Sequence, residues 1–74
     1  MIVNYDFLAG DDDDIVGGIF LSNPSEDYTA STLDYARRIG ATIANEYENG
    51  TLVRTWHKEW GGSTLGWIWS TGSE

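Results

Sequence analysis

These 74 residues contain no cysteine. A chain this short buries only about 60% of the surface its unfolded form exposes, and small folds commonly add a disulfide, a metal or a partner. Without cysteine, disulfides and thiolate metal sites are excluded. The core must then come from apolar bulk, which four Trp, four Tyr and two Phe supply. That aromatic density argues against disorder and for one small domain spanning residues 1–74. No run of about 20 apolar residues offers a membrane span, and the start of the chain, Met1-Ile2-Val3-Asn4-Tyr5-Asp6, lacks the basic region of a signal peptide. A cytoplasmic protein is expected.

Hydrophobic periodicity then assigns elements. In residues 2–9, Val3, Tyr5 and Phe7 alternate with Asn4 and Asp6, the period of two of a half-buried strand. Residues 15–21 read as a second strand, with Gly17-Gly18 as a bulge or a close backbone approach. Gly10–Asp14 connects them as a hairpin turn, since an Asp carboxylate bonds nearby backbone N–H groups. Pro24 breaks the chain. A helix is expected over 31–48, with Ser31 as N-cap and Thr29 or Asp27 as caps for an earlier start. Its stripe is Leu33, Ala36, Ile39 or Gly40, Ile43, Ala44 and Tyr47. Asn49-Gly50 reads as the helix stop. Residues 51–60 form a strand with Leu52, Arg54, Trp56, Lys58 and Trp60 on one face. Gly61–Thr64 turns into a last strand over 65–70, and Thr71–Glu74 is expected to fray. The order β-β-α-β-β predicts an α+β fold in which one helix covers one face of a mostly antiparallel four-stranded sheet.

The formal net charge is −8, and its distribution is uneven. Asp6, Asp11, Asp12, Asp13, Asp14, Glu26, Asp27 and Asp34 precede the first basic residue, Arg37. The four basic residues, Arg37, Arg38, Arg54 and Lys58, balance Glu46, Glu48, Glu59 and Glu74 in the second half. The first half therefore carries the whole net charge, which repels nucleic acid and attracts basic protein grooves. The plain alternative is that acidity serves solubility or a high-salt host.

Familiar site chemistries find little here. Counted from Asp11 as an EF-hand loop, the fifth, sixth and twelfth positions are Ile15, Val16 and Ser22, which fails the pattern. An irregular cation site at Asp11–Asp14 is a separate reading. His57, the one histidine, lies in an expected strand, where a structural role is the default; catalysis centred on it is another alternative. The paired glycines lack the Lys-Ser/Thr of a phosphate loop. No cofactor and no enzymatic activity are expected. The four Trp side chains could stack bases, but four basic residues against twelve acids do not make a phosphate-binding surface, so direct nucleic-acid binding is not expected. At least two Trp residues are expected in the core, and the exposed remainder marks a protein contact.

A run of Asp on an extended backbone approaches the linear charge density of B-DNA, about one charge per 1.7 Å. Asp11–Asp14, extended by Glu26, Asp27 and Asp34, could then form an acidic surface that mimics DNA, with Trp56 and Trp60 adding contact. The chain resembles the small phage-encoded inhibitors of host defence, the anti-CRISPR and anti-restriction proteins. The likeness lies in its shortness, acidity, lack of cysteine and α+β pattern. The stretch from Ser31-Thr32-Leu33 through Ala36, Asn49-Gly50-Thr51 and Leu65-Gly66-Trp67 is similar to the helix–Gly–strand–turn–strand order of some of them. The resemblance implies a viral, non-enzymatic inhibitor that blocks the nucleic-acid site of a basic nucleic-acid-binding protein or complex, in the host cytoplasm. The alternative is an interaction or structural module that binds through its Trp-rich sheet, and an open face or strand edge leaves room for a homo-oligomer.

Overall fold

Val3, Tyr5 and Phe7 project from one side of a strand, β1 (Ile2–Ala9), and are almost wholly buried. The computed structural model describes residues 1–71, so the expected fraying of Gly72–Glu74 falls outside the described residues. Around β1 the chain builds a five-stranded antiparallel sheet in the order β2-β1-β3-β4-β5. The other strands are β2 (Asp14–Ser22), β3 (Ile43–Glu48), β4 (Thr51–Trp60) and β5 (Trp67–Ser70). One helix, α1 (Tyr28–Arg38), crosses from β2 to β3. It buries Thr32, Leu33 and Ala36 on the face that carries Val3, Tyr5 and Phe7.

The β1–β2 hairpin is the one expected. Asp13 takes a left-handed conformation (φ 51°), as does Gly10 (φ 84°), and the Asp13 N–H donates to the Gly10 carbonyl at 3.2 Å. Phe7 pairs with Gly17 and Leu8 with Ile15, leaving Val16 as a bulge. Gly18 is a close backbone approach: a Cβ there would stand 2.9 Å from the Tyr5 carbonyl oxygen.

The expected helix over 31–48 is corrected at both ends. It begins at Tyr28, with Asp27 in the N-cap position but making no side-chain cap bond. It ends at Arg38, ten residues earlier than expected. Gly40 (φ 83°) stops it: its N–H donates to the Arg37 carbonyl, and the Ala41 N–H to the Ala36 carbonyl. Those two bonds are the Schellman pair, which satisfies carbonyls left open by the last turn. The freed residues 43–48 become β3, so among the described residues the sheet has five strands, not four. Asn49-Gly50 is accordingly no helix stop. Both residues have positive φ (50° and 85°) and join β3 to β4 with Glu48 opposite Thr51, the two-residue turn that favours Asn-Gly. The Asn49 side chain also accepts a hydrogen bond from the Ile2 N–H at 3.0 Å, tying this turn to β1.

One further register differs. Glu46 pairs with Arg54 but Tyr47 pairs with Leu52, so Val53 is an extra residue in β4. The bulge moves Leu52 away from the face of Arg54, Trp56, Lys58 and Trp60, onto the side opposite the helix. The last strand begins at Trp67 rather than at Leu65.

Candidate functional site

Three groups of chemistry-bearing side chains stand out, and the order of the sheet places them. The first is buried. Glu46 faces the helix from β3 and is fully excluded from solvent. A buried carboxylate is stable only when it is paired and hydrogen-bonded. Tyr28 donates its hydroxyl to Oε2 at 2.9 Å, and the Trp56 indole N–H donates to Oε1 at 3.0 Å. The Arg54 guanidinium forks onto both oxygens, Nε to Oε1 at 3.1 Å and Nη2 to Oε2 at 3.2 Å. Arg54 also lies over the Trp56 ring, 5.9 Å from its centroid. The carboxylate thus fastens α1, β3 and β4 together with every donor directed at it. Nearby, the Tyr5 hydroxyl is buried, and among the described residues no group meets hydrogen-bond geometry with it. Burial pushes the Tyr5 phenol well above its ordinary pKa, and the Glu46 charge adds to the shift. Tyr28 is raised too, by burial and by its bond to Glu46.

Beyond the short helix lies an uncovered aromatic surface. Trp60 and Trp67 are cross-strand partners on β4 and β5. Their rings meet edge to face at 5.4 Å, and they are 59% and 60% exposed. Lys58 reaches over Trp67 at 5.8 Å. Trp56 and Trp69, on the same side, are half-buried against the core. The expectation of at least two core tryptophans is corrected: the buried core contains none, and Trp56 and Trp69 pack against its edge half-buried.

The acidic residues form the third group, and the fold divides them. Asp11–Asp13 and Asp14 sit at the turn end of the β1–β2 hairpin. Glu26 and Asp27 sit at its other end, in the segment between β2 and α1. The nine residues of β2 put about 26 Å between the ends. Asp34 lies on α1 and is paired with Arg37 at 3.0 Å and Arg38 at 3.1 Å, so its charge is balanced locally. Among the described residues, Asp11–Asp14, Glu26 and Asp27 make no ion pair with a basic side chain. The seven acidic residues do not form a continuous ridge. Trp56 and Trp60 lie on β4, on the other side of β1 and β3 from the Asp run.

Sequence reasoning missed Glu46, because it fell inside the expected helix. Reading Asn49-Gly50 as a hairpin would have placed it across from Val53 or Arg54 and suggested the ion pair. His57 is exposed on the face opposite the helix, between Ile43 and Ser70 across the strands. Among the described residues no three His, Cys, Asp or Glu side chains converge to hold a metal ion, and no helix is long and apolar enough to cross a membrane. Compared with known proteins, the chain matches no family model, no curated protein and no solved structure.

Proposed function

We propose that this protein is a non-enzymatic binding protein for a basic partner, a nucleic-acid-binding protein or complex, and that it inhibits by occupying the partner's positive site. The observation that carries this reading is the set of acidic side chains without basic partners on the β1–β2 side of the molecule, Asp11–Asp14 at one end and Glu26 and Asp27 at the other. No Lys or Arg precedes Arg37, so β1, β2 and the turn between them contain no basic side chain to offset those charges. Mimicry of nucleic acid then takes the form of two acidic clusters at opposite ends of β2, a strand about 26 Å long, not a single phosphate-like ridge. Charge of this kind speeds encounter and selects basic partners, while apolar contacts slow release.

Affinity capture from a host lysate at low and high salt tests the proposal. The wild-type chain is expected to retain basic nucleic-acid-binding proteins at low salt and lose them at high salt. Replacing Asp11–Asp14 with Asn should remove that retention; unchanged retention would sink the reading.

A second reading rests on the Trp60–Trp67 pair. Two large rings almost 60% exposed on a rigid sheet are the kind of surface that anchors protein interfaces. If Trp60→Ala and Trp67→Ala abolish capture while the Asn variant retains it, the aromatic surface is the contact and the acidic clusters serve solubility.

A further inference from the structure

The two acidic clusters have a feature of the fold between them. β2 is one of the two edge strands of the sheet, so along its outer side its backbone N–H and C=O groups have no neighbouring strand among the described residues. Such an edge is a template for pairing with another chain. It is nine residues long, and its side chains are apolar over much of that length: Ile15, Val16, Ile19, Phe20 and Leu21. Beside it, between β2 and the first turns of α1, runs a groove of about 280 Å³ lined by Ile19, Leu21, Pro24, Tyr28, Ser31 and Thr32. An edge strand alongside a helix-walled apolar groove fits recognition by strand addition. There, main-chain hydrogen bonds supply affinity and alternate side chains enter the groove.

We propose that the free edge of β2 takes up an extended peptide segment as a sixth strand, with an apolar side chain seated in the β2–α1 groove and Lys or Arg at both ends. The charges determine the occupant. Asp11–Asp14 lie at the start of β2, and Glu26 and Asp27 lie just past its end. A strand laid along β2 therefore meets carboxylates at both of its termini. Elsewhere in the first half, the Met1 ammonium donates to the Asn23 side chain, and Asp34 is held by Arg37 and Arg38. A second copy of this chain fits poorly. Antiparallel β2 pairing with Asp14 opposite Ser22 would bring Asp11–Asp13 of one copy toward Glu26 and Asp27 of the other, like charge against like. The inference rests on the basic-partner reading and specifies how that partner docks.

Synthetic nine-residue peptides, matched to the length of β2, test it on the full chain. One set carries Lys-Arg at both ends and alternating apolar and Thr residues between, with the central apolar residue varied; a control set carries Glu at both ends. Backbone amide resonances report the site. Basic-ended peptides are expected to shift the amides of residues 15–22 and of Tyr28, leaving Trp60 and Trp67 unmoved. N-methylation of alternate peptide amides in one of the two phases should weaken binding at least about tenfold, because it removes the main-chain donors that face β2. Ser31→Trp, on the exposed helix surface, fills the groove and should weaken binding by a similar factor without lowering the melting temperature. The proposal is overturned by any of three results: no basic-ended peptide binds, N-methylation in neither phase matters, or the shifts map to Trp60 and Trp67. A β2-mediated dimer in sedimentation would also overturn it. If lysate capture stays salt-sensitive and Asp-dependent while the peptides fail, the basic-partner reading stands and strand addition alone is lost.

Discussion

Glu46 shows how one residue can organise a small core that has no disulfide. Its carboxylate receives donors from Tyr28, Trp56 and Arg54 and so fixes the position of α1 over β3 and β4. Glu46→Ala would leave the Tyr28 hydroxyl and the Trp56 indole unpaired, while Arg54, about half exposed, turns to water. Removing one partner of a buried pair costs about 3–5 kcal/mol, and the freedom of Arg54 reduces that to about 2–4 kcal/mol, readable by urea denaturation. Tyr5 works the opposite way. Its buried hydroxyl has no group in hydrogen-bond geometry among the described residues, so Tyr5→Phe should raise stability by about 1 kcal/mol. The same residue sets an alkaline limit. Below pH 10 the phenol keeps its proton in both the folded and the unfolded chain. Above the ordinary value of 10.0 the unfolded chain releases that proton and the folded chain holds it. The unfolded state then gains, and stability falls as pH rises. Melting temperatures followed upward from pH 9 should drop steeply for wild type and more gently for Tyr5→Phe. None of this is legible in the sequence, because a buried polar network depends on which strands meet, and the local periodicity around residue 46 fits a helix as well as a strand.

At the scale of elements, the period of two in residues 2–9 identified β1 without ambiguity, because polar and apolar residues alternate there. Residues 43–48 were ambiguous. Ile43 and Tyr47 are four apart and extend a helical stripe from Leu33 and Ala36, yet the same six residues alternate between the two faces of the sheet. The local information that separates the two was in the glycines. Gly40 lies one turn past Ala36 and ends the helix in a left-handed conformation, while Asn-Gly at 49–50 joins two strands. A β-branched side chain cannot take the left-handed conformation cheaply, since it costs about 1–2 kcal/mol per residue even for ordinary L-residues. Gly40→Val is expected to destabilise by about 2 kcal/mol and lower the melting temperature by roughly 8–16 °C for a domain of this size. A thermal scan checks it. Asn49→Gly, which tolerates positive φ at that turn, should cost less because it loses only the bond to Ile2. If Gly40→Val melts with wild type, the helix is not stopped by that residue, and the boundary at Arg38 has another cause.

For the whole molecule, the question is what a run of four aspartates does in a chain that is only marginally able to bury a core. The composition made the charge imbalance legible, but not its geometry: whether Asp11–Asp14 and Glu26-Asp27 share a surface depends on the length of β2, which separates them. The turn itself does not require the charge. Asp13 is the one member of the run with positive φ, and Asn accepts that conformation at least as well. Neighbouring like charges repel at low salt, so the run works against stability. Replacing all four with Asn therefore separates the turn from the charge. The variant should keep the hairpin, and at low salt it should melt at the same temperature as wild type or a few degrees higher. It should also lose the salt-dependent part of its binding to a basic partner. A variant that unfolds would mean that the carboxylates are needed for the turn. A variant that folds, and binds as wild type does at every salt concentration, would mean that the charge serves solubility alone. The combination of retained fold and lost low-salt binding is the outcome expected if the aspartates are there for a partner.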